Sequence, residues 1–320
     1  MIEHPSRGRL IAAFAAIYFI WGSTFLGIRY AIASLPPFLM LAARYLAAGG
    51  ILYGWARLRG EALPQFRHWK GALFLGSLLI LGSNGGVAWA EQVVPSSLAA
   101  LIIATEPLFI VLLDWFRPAG VQPSGRVLAG LVLGFAGVVL LLDPRGLGDG
   151  PLLAGAALAV LIFSSTCWAI GTVYSRKARL PATPFMATSL TMLAGGALLL
   201  TAGLITGEAS RLNLAAVSLH SWLAVAYLTA LGSIVGFSAY LWLLRVTTPA
   251  RVGTHAFVNP VVAVFLGWAV GGEKITAPML VAAAAVVAAV VLIVSSKTKA
   301  VSSPRPAETL EPAATPLTSG

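Results

Sequence analysis

The side chains that could do chemistry inside the apolar runs of this sequence fall mostly in two pairs. Glu106 stands before Pro107, and Asn259 stands before Pro260. A proline within a helix removes one hydrogen bond and frees the carbonyl four residues back, here those of Ile103 and Ala256. Two such breaks, expected near the bilayer midplane, would expose carbonyls that can bind a solute and kinks that can flex. Glu106 is the only carboxylate expected deep in a span, where an ionisable group costs about 2.5–3.5 kcal/mol on insertion scales. Burial would let it take up a proton, so it could couple transport to protons, attract a cation, or simply pair with Arg44. Arg44 lies within the second apolar run and could instead meet a substrate anion. His255, one turn before Pro260, titrates nearest neutrality, although a lone membrane histidine also serves as a packing donor. Ser23, Thr24, Asn84, Trp89, Trp168, Tyr240 and Trp242 are further candidates for cavity walls, since a few polar groups among aromatics suit small organic ligands.

The elements that must position these residues are apolar. Hydrophobic residues make up 58% of the 320 positions and charged residues 10%, against roughly 25% charge in a soluble domain. About 20 apolar residues cross the hydrocarbon core as a helix. Ten stretches qualify: 10–30, 37–56, 70–90, 96–116, 127–142, 152–174, 184–206, 221–244, 254–271 and 279–294. The fifth and tenth are short. The first continues past Ala13-Phe14-Ala15 and reads as a retained anchor, not a cleaved signal. Of the 21 Lys and Arg residues, 16 fall on the side of the N-terminus, and only Arg29, Arg145, Arg211 and Lys274 fall on the other. Arg44 lies inside a span. The bias predicts both termini in the cytoplasm, with residues 1–9 as the N-terminal segment and 297–320 as a disordered tail. Trp55, Trp69, Trp115 and Trp222 sit near span ends, as interface anchors do.

The halves 10–142 and 152–296 resemble each other. Trp21-Gly22-Ser23-Thr24 corresponds to Trp168-Ala169-Ile170-Gly171-Thr172. Trp89, Pro95 and Pro107 correspond to Trp242, Pro249 and Pro260, with Pro–Pro gaps of 12 and 11. A duplicated unit with an odd number of spans enters the membrane from opposite sides, which predicts an all-α fold of ten transmembrane helices as two inverted five-helix repeats.

These residues resemble the EamA-type family of the drug/metabolite transporter superfamily, and most closely its drug and metabolite exporters. The motifs that carry the resemblance are Trp21-Gly22-Ser23-Thr24-Phe25, Arg44-Tyr45-Leu46-Ala47-Ala48, Glu106-Pro107-Leu108-Phe109, Asn259-Pro260-Val261-Val262 and Gly272-Glu273. The resemblance spans about residues 9 to 295. It implies a small-molecule transporter of the inner membrane with a central cavity between the halves. It fixes no substrate. A channel or a non-transporting membrane receptor is the alternative.

Other classes lack their residues. The basic residues lie in short loops and make no nucleic-acid face. Cys167 is the single cysteine, so no intrachain disulfide or cysteine metal cluster can form, and no cofactor is expected. There is no P-loop, paired intramembrane aspartate or His-Glu-x-x-His, which argues against an enzyme or ATP-driven pump. Glycines spaced by four at Gly50/Gly54, Gly130/Gly134, Gly232/Gly236 and Gly267/Gly271 suit close helix packing, within the chain or in a homodimer.

Overall fold

A computed structural model describes residues 6–116, 123–141, 151–175, 177–181, 183–247 and 255–295. Pro249, the 297–320 tail and most of the connection between the halves lie outside the described residues. All regular structure among the described residues is helical. We label the main helices α1 (Arg7–Ile32), α2 (Pro37–Leu58), α3 (Phe66–Ala90), α4 (Ser96–Ile103 continuing as Glu106–Phe116), α5 (Gly125–Leu141), α6 (Pro151–Ser175), α7 (Pro184–Ile205), α8 (219–246), α9 (His255–Ala269) and α10 (Ala277–Ser295).

Seven of the described helices are long and apolar enough to cross a membrane, and shorter apolar stretches lie in α5, α9 and α10. Large apolar side chains point outward along the bundle. Ile51, Phe163, Phe265 and Trp268 are each more than half exposed, which suits lipid and not water.

The helix starts are written in the sequence. Pro37 and Pro184 occupy first positions, where the missing N–H is not needed and φ is preset. Gln65 and His68 cap α3 reciprocally. Three Gly-Glu pairs turn the corners. Gly60, Gly207 and Gly272 adopt φ of 80°, 73° and 65°, a region that glycine enters at no steric cost. The glutamate that follows each glycine then reaches a helix start elsewhere in the chain. Glu208 accepts from the backbone N–H groups of Phe38 (3.3 Å) and Leu39 (2.9 Å) at the start of α2. Glu61 accepts from the Thr183 hydroxyl just before α7. Glu273 accepts from Ser96 N and Ser97 N at the start of α4.

Small residues let the helices close up. Gly49 of α2 lies against Leu193 of α7, and Gly196 of α7 against Leu46 of α2. Gly130 and Gly134 of α5 abut Ile293 and Ala289 of α10, so this four-residue spacing serves packing within the chain. Gly50 and Gly54 face open space. The main core gathers Met40, Leu41, Tyr45, Ile80, Leu101, Leu161 and Met192 from five helices.

Candidate functional site

Three helices carry π-helical turns: residues 16–20 of α1, 76–85 of α3 and 228–235 of α8. Such i→i+5 turns displace the chain and leave carbonyls for other donors. In α8 the displaced turn takes two. The Trp21 indole N–H donates to Gly232 O at 3.2 Å, and Arg44 Nε donates to Ser233 Oγ at 2.9 Å. Gly232 in this turn and Gly236 just after it leave room for the approach. A Cβ at Gly232 would stand 3.1 Å from an Arg44 guanidinium nitrogen, and one at Gly236 would strike the Trp21 ring. In α3, Asn84 Nδ2 donates to Leu79 O at 2.7 Å, five residues back.

Ser83 and Asn84 of the α3 turn line a cavity of about 110 Å³ between the halves, the room of roughly three or four waters. Trp21, Thr24, Arg44, Asn84, Glu106, Trp168, His255, Asn259 and Pro260 all line it, so most of the sequence candidates converge on one space. Arg44 is buried and lies over the Tyr45 ring at 4.8 Å. Its Nη1 has no hydrogen-bond partner, and neither has the buried Tyr45 hydroxyl. Glu106 and Trp168 both line this space. With its amide nitrogen turned toward them, Asn259 donates to His255 O at 3.2 Å and Tyr18 O at 3.1 Å. Trp21 packs on Phe237, Tyr240 and His255 with ring centroids 5.1–5.3 Å apart.

Several candidates stand elsewhere. Pro107 is not among the lining residues. Ser23 faces a separate apolar groove beside Phe19, Val261 and Phe265, where it is hydrogen-bonded to the Tyr227 hydroxyl. Trp89 packs against the main core, Trp242 joins a cluster around Ile17 and Leu243, and Tyr240 stacks on His255 from behind. Arg44 and Glu106 share the cavity without pairing, because the one ion pair among the described residues joins Arg29 to Glu273.

The two prolines act differently. Helix α4 stops at Ile103 and restarts at Glu106, with Pro107 at the second position of the new segment. There the ring needs no hydrogen bond, so a full break replaces a kink. The Ile102 carbonyl at the break accepts from Thr105 N (3.1 Å), Thr105 Oγ1 (2.6 Å) and Ser165 Oγ (3.3 Å). Helix α9 runs through Pro260 unbroken.

Tyr45, Ser83 and Ser233 are polar site residues that the sequence reading did not single out. Tyr45 follows Arg44 in a motif already noted, and Ser233 follows Gly232 of a noted glycine pair. Those adjacencies were the available signals.

Comparison with known proteins agrees with this architecture. The EamA-like transporter family matches residues 8–143 and again 155–295. The chain is 41% identical over 269 residues to the uncharacterized inner membrane transporter YedA of Escherichia coli K12, covering 83% of this chain and 84% of that protein. It is 27% identical to the uncharacterized transporter YvbV of Bacillus subtilis over 92% of this chain and 93% of that one. A solved crystal structure shares the fold, with a TM-score of 0.63 at 22% identity over 90% of this chain and 98% of that chain. With both halves matched and the transporter relatives spanning nearly its full length, this chain belongs to the EamA-like transporter family.

Proposed function

We propose that this chain is a secondary transporter that exports a small organic solute across the inner membrane by alternating access around the cavity between its halves. The observation that carries this reading is a buried guanidinium, Arg44, that lines the cavity with Nη1 unpartnered. A buried cation without a full set of acceptors is costly, and a solute bearing an anionic or strongly accepting group would complete it. Glu106 offers the complementary charge on the same space. Trp21, Phe25, Trp168 and Phe237 supply apolar walls.

In this reading all ten helices cross the membrane, residues 10–142 and 152–296 form inverted repeats, and both termini are cytoplasmic. The reciprocal contacts of Glu61 near α7 and Glu208 at α2 support a pseudo-two-fold relation between the halves. So does the pairing of Gly49 and Gly196 across α2 and α7.

The test is reconstitution of the full chain in liposomes with a library of small metabolites. A carrier gives saturable uptake and counterflow, and Arg44→Gln abolishes both while the protein still elutes as a single folded species. Flux that neither saturates nor shows counterflow would mark a channel and overturn the proposal. Cysteine labelling should place the loop near Arg67 inside and the loop near Glu91 outside.

A further inference from the structure

One end of the cavity is closed by a polar cluster that the solute site does not use. Phe25, Val87 and Ala100 line the cavity. Four residues further toward the same end stand Arg29, Glu91 and Ser96, about 6 Å along each helix axis. Glu273, from the connection between α9 and α10, ties two of these helices, α1 and α4, together. It takes Arg29 Nη1 at 2.5 Å, Ser96 N at 2.9 Å, Ser96 Oγ at 2.6 Å and Ser97 N at 3.1 Å. Burial alone would raise the Glu273 carboxyl, but the hydrogen bonds from Ser96 and Ser97 outweigh it and hold the group below the ordinary carboxylate range. Glu273 is therefore the charged acceptor of this closure.

Glu91 is its opposite. It lies at the end of α3, 5% exposed, with no hydrogen-bond partner on either carboxylate oxygen. The charged groups that act on it are Glu273, of like sign, and Arg29, which is already engaged. Burial first, and then Glu273, push its carboxyl well above the ordinary range, against a weaker pull from Arg29. A carboxylate buried without donors is too costly to stay ionised, so in this conformation Glu91 carries a proton.

We propose that Glu91 is a proton-binding site of the transporter, occupied when this end of the cavity is closed and vacated when it opens. The proposal rests on the transporter reading above. If Glu91 lost its proton in place, two carboxylates would compete for the single Arg29 guanidinium, one of them without donors. Opening lets water solvate Glu91 and removes the conflict. In reverse, a proton from water at this end bonds to a Glu91 carboxylate oxygen, cancels its charge, and leaves Arg29 wholly to Glu273. In the proposed topology this end faces outside, so an external proton closes the outer end after the solute has left.

The test reads accessibility, not transport. In the full chain carrying Cys167→Ala, a reporter Val87→Cys sits beneath the cluster and is labelled from outside with a membrane-impermeant maleimide. Each unit by which closure raises the Glu91 pKa changes the closed-to-open ratio about tenfold. Labelling, taken relative to Glu91→Gln so that intrinsic thiol reactivity cancels, should rise at least that much between about pH 5 and about pH 9. Glu91→Asp should keep the rise. Glu273→Gln, which breaks the ion pair, should label fast throughout. A pH profile for Glu91→Gln that matches the parent overturns the proposal, and so does a flat profile in both the parent and Glu91→Asp while Glu273→Gln labels fast. Failure of the transporter reading looks different: counterflow is absent whatever the labelling does.

Discussion

Arg44 donates its Nε to Ser233 Oγ at 2.9 Å, joining α2 of the first half to the displaced turn of α8 in the second. The bond fixes the guanidinium plane and leaves Nη1 without a protein partner. Hydrogen bonds to charged groups contribute about 1.5–3 kcal/mol. Ser233→Ala should therefore raise the solute KM in counterflow about tenfold or more, since about 1.4 kcal/mol is a factor of ten. Arg44→Lys should also weaken binding, because an ammonium cannot serve Ser233 and the solute in fixed directions. An unchanged KM in both variants would place the solute elsewhere.

A Glu106 variant would separate solute recognition from proton handling. It lines the cavity together with Trp168. Glu106→Gln keeps the shape and removes the charge. For a solute with a cationic group, affinity should fall in both gradient-driven transport and exchange. The pH dependence of labelling at the outer end should stay, because Glu91 sets it. Loss of gradient-driven transport with exchange intact would instead make Glu106 the coupling group.

Glu208 should matter for stability more than for transport. Its carboxylate meets two backbone N–H groups at the start of α2. Losing such a cap costs about 1 kcal/mol, which at about 2.1 cal/mol/K of unfolding entropy per residue is roughly 1–2 °C in Tm for a chain of 320 residues. Glu208→Ala should lower the melting temperature of the purified protein by roughly 1–2 °C and leave the solute KM unchanged.

The outer cluster predicts a pH window for closure. Glu273, held below the ordinary carboxylate range, supports closure above that range and loses its effect as the pH falls through its depressed value. Glu91, held well above it, has the reverse sign: closure is supported below the ordinary value and lost as the pH rises through the raised one. Reporter labelling at Val87→Cys should thus be slowest between the two limits. Glu91→Gln should remove the alkaline limit alone, and Glu273→Gln should remove the slow phase entirely.

Much of this site was readable from residue types. An arginine and a glutamate inside apolar runs are expensive, and both line the cavity. The Trp21 and Trp168 pair of the repeat also converges there. What the sequence hid was rotation about helix axes. Ser23 and Thr24 are neighbours, yet one faces the outer groove and the other the cavity. The π-helical turns that set those rotations carry no composition signal. Pro107 and Pro260 looked alike, but position within the local helix decided between a break and a continuous run. Glu91 and Glu273 sit at span ends, where charge is common; Glu273 entered only within the Gly272-Glu273 motif, and neither had a role until the fold brought both near Arg29.

The Gly-Glu corners bear on how the molecule is assembled. The start of α2 is capped by residue 208 and the start of α4 by residue 273. A chain growing from its N-terminus must therefore insert its first helices with their leading amides bare. Their partners arrive only when the later half has been synthesised. Until then water at the membrane surface must serve those amides in place of the carboxylates. Severed halves expressed together should accordingly recover protein that neither half accumulates alone.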